Sequence, residues 1–285
     1  MGCCGTLTAD AEHSQSVRVI EVVLTGGGSG LADEILSSLT PIEADFRIRR
    51  VDTLESAGEA RRFQGRTVLV ELDTEAEFES ADLVIDLDGS YSGDCERFRP
   101  QLPMVSLVQR LFSALPIDAI QTVHGVLREP AVSVPGGVDA LAGQVTQLFN
   151  GRDPELMPFG GTLAFNSRIL DDAQLCEELS EIPQLATASL SIERLQSDAF
   201  YTVIASLWIQ TPMAEQILQL ANAPFEAGIG LAPDTGRVES DAPMRVMARS
   251  ASPGWVHLLV SADLERTLWA HDVRDAVLRR LDRVL

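Results

Sequence analysis

Residues 17–24 form a short, β-branched apolar run that ends in Thr25-Gly26-Gly27-Gly28-Ser29-Gly30. Leu31, Ile35 and Leu39 then recur at helical spacing until Pro41. A strand, a glycine turn and an amphipathic helix in immediate succession are how a nucleotide-binding α/β domain begins. Glycine there permits a tight turn, close approach of backbone to a phosphate, and close packing of helix on strand. Further strands are predicted at 46–51, 67–72 and 83–87, and an amphipathic segment at 105–115 closes this half.

The second half has a different rhythm. Strands are predicted at 120–127, 187–195, 200–210, 244–248 and 255–261, with few helices between them. Val138, Leu141, Ala142, Val145, Leu148 and Phe149 make one helical stripe, stopped by Asn150-Gly151. Thr211-Pro212 reads as a helix start, and 271–285 as a final amphipathic helix. Segregated strands with helices on one face indicate an α+β domain with a mainly antiparallel sheet. The chain therefore divides into a tail (1–16), an α/β domain over 17–115 joined by the C-terminal helix 264–285, and an α+β domain over 116–263.

The chain of 285 residues has a formal net charge of −20 and contains no lysine. Such a surface repels phosphate backbones and anionic lipid, so neither nucleic acid nor membrane is an expected partner. No apolar run approaches the roughly 18–20 residues of a membrane span, and residues 1–16 are too polar for a secretory leader. Met1-Gly2-Cys3-Cys4-Gly5-Thr6 fits the loose pattern for N-myristoylation, but the plainer reading, an untethered disordered tail, is adopted. The four cysteines show no metal-type pairing, no metal site is expected, and a reducing cytoplasmic compartment fits.

The stretch Val138-Asp139-Ala140-Leu141-Ala142-Gly143-Gln144, with Leu163-Ala164-Phe165-Asn166 after it, resembles the C-terminal domain of aspartate-semialdehyde dehydrogenases. The likeness is greatest to their non-catalytic, Usg-type paralogues. Weaker matches stand in corresponding order at Glu55-Ser56-Ala57-Gly58-Glu59, at Leu83-Val84-Ile85-Asp86 before Gly89, and at Gln196-Ser197-Asp198-Ala199-Phe200-Tyr201. The resemblance implies a Rossmann-like domain followed by a dimerisation domain. It also implies a reaction in which an acyl phosphate becomes an aldehyde through a cysteine thioester, with NADP and a histidine acid/base.

The residues that this chemistry needs are missing. Near the cysteine of the family's Pro-Asn-Cys turn stands Ser106, in Pro103-Met104-Val105-Ser106, with no local residue to act as its base. Ser106 is accordingly expected to be a helix cap or surface serine. Cys95 lies between Asp94 and Glu96, which raise a thiol's pKa rather than lower it. Gln196 stands at the family's substrate-binding arginine and Val203 at its histidine, and valine can neither hold nor give a proton. His124 lies near the family's substrate-orienting glutamine, on a strand leading out of a vestigial substrate cleft, and reads as a satisfied core or interface histidine.

The cofactor site is altered as well. Aligned on the helix, the glycine fingerprint becomes Gly26, Ser29 and Ala32, with a side chain at the crowded middle position. The family's Arg-Ser-Ala-Gly-Lys turn, which reads the NADP 2′-phosphate, has acids at both cationic places, Glu55 and Glu59. Arg49, Arg50, Arg61 and Arg62 read as solvated residues paired with local acids. The stretch from Asp86 to the Ser106 helix is too brief for another strand–helix unit, so the first domain is shortened.

No cofactor is therefore expected, and the chain is predicted to be a non-catalytic, dimeric binding, assembly or regulatory protein. Tyr201, Val203, Ala205, Leu207 and Trp208 are the predicted interface, because the 200–210 strand carries apolar residues on both faces. Besides a homodimer, pairing with a true dehydrogenase subunit is thinkable. The competing expectation is a residual oxidoreductase of amino-acid biosynthesis, acting on an aldehyde with NAD(P).

Overall fold

The computed structural model describes residues 19–44, 46–115, 119–171, 173–221, 229–230 and 244–283. The N-terminal tail with its Gly2, Cys3, Cys4 and Thr6 pattern lies outside them.

The glycine turn joins β1 (Ile20–Thr25) to α1 (Gly30–Leu39), close to the predicted boundaries. β2 (Phe46–Asp52), β4 (Arg66–Leu72) and β5 (Leu83–Asp86) follow as expected. β3 (Ala60–Phe63) was not predicted; it forms an antiparallel hairpin with β4, and its three leading residues are exposed, so no alternation marks it. β6 (Arg97–Phe98) is two residues long and pairs parallel with β5. The sheet order is β3-β4-β2-β1-β5-β6, with β4, β2, β1, β5 and β6 mutually parallel.

Parallel sheets are ordinarily covered by helices on both faces. Here α1 and the last helix, α6 (Ala270–Asp282), cover one face with Leu31, Ile35, Leu39, Val273 and Val277. The other face, Val23, Val51 and Val84, is closed by loop residues Phe78, Ala81, Tyr91 and Cys95. The β4–β5 link holds only the 3-10 turn Asp73–Glu75, and β5 leads to β6 without a helix. Among the described residues no α-helix lies between β4 and β6.

α2 (Pro103–Ala114) starts with proline at its first turn. The second sheet comprises β7 (Thr122–Glu129), β8 (Ser167–Ile169), β9 (Ser189–Ser197), β10 (Thr202–Gln210), β11 (Ile229–Gly230), β12 (Met244–Ser252) and β13 (Trp255–Asp263). Its order is β11-β12-β13-β10-β7-β9-β8. Neighbours are antiparallel except β7 with β9 and β11 with β12. α2, α4 (Ala173–Ser180) and α5 (Ala214–Ala221) line one face, where Val123, Leu127, Val203, Ala205, Leu207 and Leu258 meet Leu107, Leu111, Leu175 and Ile217. α2 thus belongs to the core of the sheet that follows it. The helix expected at Pro212 begins at Ala214, with Thr211 Oγ1 accepting from Met213 N at 3.2 Å.

α3 (Gly137–Phe149) follows the 3-10 turn Ala131–Ser133. With the loop after it, α3 makes a small separate core of Leu141, Phe159, Leu163 and Ala164. A π-helical turn, Leu264–Trp269, carries the chain from β13 into α6 and packs against both α1 and α2. The molecule is a Rossmann-like sheet followed by a mainly antiparallel sheet.

Candidate functional site

In open α/β sheets, ligands bind beyond the carboxyl ends of the parallel strands, where the glycine turn meets the first helix. Three backbone donors of the turn, those of Gly27, Gly28 and Ser29, already have partners. Gly27 N donates to Val51 O at 2.9 Å and Ser29 N to Gly26 O at 3.1 Å. Gly28 N donates to Asp52 Oδ2 at 2.6 Å. Ser29 caps α1: its Oγ accepts from Ala32 N at 3.2 Å and donates to Gly26 O at 2.7 Å. Ser29 is therefore a helix cap with its own partners, and Ala32 is buried beneath it.

Acids surround this turn. Thr25 Oγ1 donates to Asp86 Oδ1 at 3.1 Å and to Asp88 Oδ1 at 2.7 Å. Burial pushes the Asp88 carboxyl up, but bonds from Thr25 and Ser90 hold it below its ordinary value. Glu55 and Glu59 are exposed on the loop after β2. From the π-helical turn that leads into α6, Glu265 lies beside Gly30. Burial, with Asp263 and Glu34 nearby, raises its pKa to about 7.

Of the arginines read as solvated, Arg50 is wholly buried. Its Nε donates to Gly27 O at 2.6 Å and its Nη2 to Asp33 at 3.1 Å, while Nη1 has no partner. The strand alternation carries the reason: Phe46, Ile48, Arg50 and Asp52 share the β2 face that meets α1, which sequence reasoning overlooked for both charged residues. Arg61 pairs with Asp33 at 2.9 Å and Glu59 at 3.6 Å, Arg49 bridges Glu21 and Glu71, and Arg62 is exposed. An open groove of about 320 Å³ beside Arg49, lined by Glu21, Arg47, Glu71, Glu77 and Ser80, lies away from the glycine turn.

Ser106 is neither a cap nor a surface residue. It lies inside α2, 1% exposed, between the core residues Val105 and Leu107. The structure brings it a carboxylate that no local sequence offered, Asp272 of α6. The Ser106 hydroxyl favours the charged form of Asp272, yet Ser106 Oγ and Asp272 Oδ2 both lack a hydrogen bond of good geometry. Burial dominates and pushes the Asp272 carboxyl up, although Arg110 Nη2 lies 2.9 Å away. Cys95 Sγ donates to Phe78 O at 3.2 Å, among the residues that close the far face of the first sheet.

Gln196 is buried and structural. Its Nε2 donates to Pro130 O at 2.6 Å, fastening β9 to the turn after β7. Val203 is 0% exposed and packs in the core beneath the second sheet. His124, expected in a vestigial substrate cleft, is exposed on the face of β7 opposite the one that meets α2, α4 and α5, stacked on Trp255 with centroids 5.7 Å apart. The predicted interface divides. Val203, Ala205 and Leu207 are core residues because their face of β10 meets the chain's own helices. Trp208 lies on the other face, stacked on His257 at 4.4 Å, and Tyr201 is exposed just before the strand. Among the described residues no cluster of His, Cys, Asp and Glu could hold a metal, and no helix is long and apolar enough to cross a membrane.

No protein-family model and no curated protein sequence matches the chain. Solved structures do. Aspartate semialdehyde dehydrogenase II from Vibrio cholerae, complexed with ASA, is similar with a TM-score of 0.76 and 18% identity, over 93% of this chain and 99% of that one. A probable aspartate-semialdehyde dehydrogenase from Pseudomonas aeruginosa gives 0.71 at 16% identity, over 92% and 99%. The Candida albicans enzyme with NADP gives 0.57 at 11%, over 94% and 100%. At such identities the likeness establishes the fold and leaves the activity to the residues.

Proposed function

We propose that this chain is a non-catalytic relative of the aspartate-semialdehyde dehydrogenases, of the Usg type, acting as a dimeric binding, assembly or regulatory protein. The burial of Ser106 and Val203 carries this reading. A thioester mechanism needs an accessible thiolate to attack a carbonyl and a proton carrier beside it. At those two places the chain has a serine 1% exposed and a valine 0% exposed, set in a continuous apolar core.

The residues at the glycine turn do not fit a dinucleotide. The amides of Gly27, Gly28 and Ser29 are bonded within the chain, and Asp52, Glu55, Glu59, Asp86 and Asp88 would face the phosphates of NADP with like charge. Titration calorimetry with NADP tests the point. A dissociation constant below about 100 μM, roughly 5.5 kcal/mol, would contradict the reading and favour a residual oxidoreductase. So would turnover of aspartate semialdehyde with phosphate and NADP that is lost on Ser106→Ala or Cys95→Ala.

The dimer is proposed to form through the face of the second sheet that carries no helix among the described residues, where Trp208, His257, His124, Trp255 and Leu259 gather. Tyr201 and Trp208 remain in the proposed interface; Val203, Ala205 and Leu207 do not. Light scattering should give a mass near twice 30.9 kDa, more firmly as salt screens the −20 charge of each copy. Co-purification with a true dehydrogenase subunit would instead mark a regulatory partner.

A further inference from the structure

We infer that Asp52 is this chain's own ligand for the glycine turn, a carboxylate seated where an anion would otherwise bind. The inference rests on the reading that no dinucleotide occupies this turn, and deepens it by naming what does. Asp52 ends β2, next to β1, so its side chain reaches over the carboxyl edge of the sheet. Its Oδ2 accepts from Gly28 N at 2.6 Å, a short, charge-assisted bond, and its Oδ1 accepts from Thr53 N at 2.7 Å.

The surroundings fit an anion held at this point. Arg50, fully buried, bonds Gly27 O from beneath and keeps Nη1 unpartnered. Burial most strongly disfavours the ionised form of that guanidinium, and Asp33 first, then Glu59 and Asp52, favour it. The loop after β2 closes over the turn. A Cβ on Gly28 would stand 2.3 Å from Ser56 Cβ and 2.8 Å from Asp52 Oδ2. A Cβ on Gly27 would stand 2.8 Å from Arg50 Cβ. These glycines are thus required by contacts within the chain, without any bound nucleotide. Gly58 N to Val70 O at 2.9 Å and Val70 N to Glu59 O at 2.9 Å tie the same loop to β4. Asp52 and Ser56 thus occupy the space over Gly28.

The Gly28 amide remains an anion donor in its chemistry, held by the Asp52 carboxylate and covered by Ser56, with the charges of Glu55, Glu59, Asp86 and Asp88 farther out. Inorganic pyrophosphate is the probe. The wild-type chain should show no saturable binding of it by calorimetry up to 10 mM, an on-the-order-of ceiling for weak anion sites. The double variant Asp52→Ala/Ser56→Gly should bind it at least tenfold more tightly. A folded double variant, judged by circular dichroism, that binds no better than wild type overturns the inference. Asp52→Asn keeps the shape without the charge and serves if the double variant does not fold. Its Gly28 amide should exchange hydrogen at least tenfold faster, and unchanged exchange overturns the inference equally. Tight NADP binding by the wild type would instead defeat the functional reading on which this one stands.

Discussion

Gln144 offers a direct test of what the strongest family-like segment does in this chain. It is buried in α3 and makes four hydrogen bonds. Nε2 donates to Glu155 O at 2.7 Å and Gly161 O at 3.1 Å, while Oε1 accepts from Leu163 N at 2.8 Å and Ala164 N at 3.1 Å. One side chain thus fastens the loop after α3 and seats Phe159 and Leu163 on Leu141. Gln144→Ala leaves two buried N–H groups and two carbonyls unanswered. Each unsatisfied buried group costs about 1–3 kcal/mol. With partial relaxation and some entry of water, the sum is roughly 3 kcal/mol. That corresponds to about 6–12 °C in the unfolding midpoint of a unit of this size class. Gln144→Glu should be at least as severe above neutral pH, because a carboxylate cannot donate to the two carbonyls and is charged where it is buried. Thermal unfolding followed by near-ultraviolet circular dichroism measures the midpoint, and limited proteolysis within 152–166 reports the loop. An alanine variant that melts within about 2 °C of wild type, with no new cleavage, would refute the reasoning.

Two further predictions follow from charge and exposure. Glu265, half-buried with its pKa raised to about 7, is neutral at low pH and must ionise in place as pH rises. Its folded value lies above its unfolded one, so its contribution is present below about pH 4.5 and is lost through about pH 7. Glu265→Gln should therefore match wild type near pH 4.5 and exceed it above pH 7. At about 1.4 kcal/mol per tenfold change in proton affinity, discounted for solvent screening, the gain is roughly 1–2 kcal/mol. Equal midpoints at pH 8 would count against the half-buried acid cluster of Glu34, Asp263 and Glu265. Trp208→Glu should convert the dimer to monomer by analytical ultracentrifugation while Tm changes little, since Trp208 is already 38% exposed; an intact dimer would move the proposed interface elsewhere.

Much of this architecture was legible in local periodicity. The β1–turn–α1 opening, the α3 stripe and strands β7, β9, β10, β12 and β13 lie close to where alternation and helical spacing put them, because those patterns follow directly from backbone geometry; the short β8 and β11 were not predicted. The same rule already places Phe46, Ile48, Arg50 and Asp52 on one face of β2, so both charged partners of the glycine turn could have been read from it. β3 could not, since an edge hairpin exposed on both sides carries no alternation.

Other features depended on docking between distant segments. The β10 strand has two faces with apolar character, and its sequence does not say which one the helices take. The fold gives them Val203, Ala205 and Leu207, leaving Trp208 outside. Ser106 acquires Asp272 only because α2 and α6 meet around the π-helical turn. The glycine motif likewise signals a turn that accepts an anion without saying whose. Backbone sterics and side-chain period act between neighbours in sequence, and so the residues of each element specify that element by themselves. A buried polar group is satisfied by whatever the packed elements bring within about 3 Å of it, and here the tertiary structure brings Asp52 to Gly28.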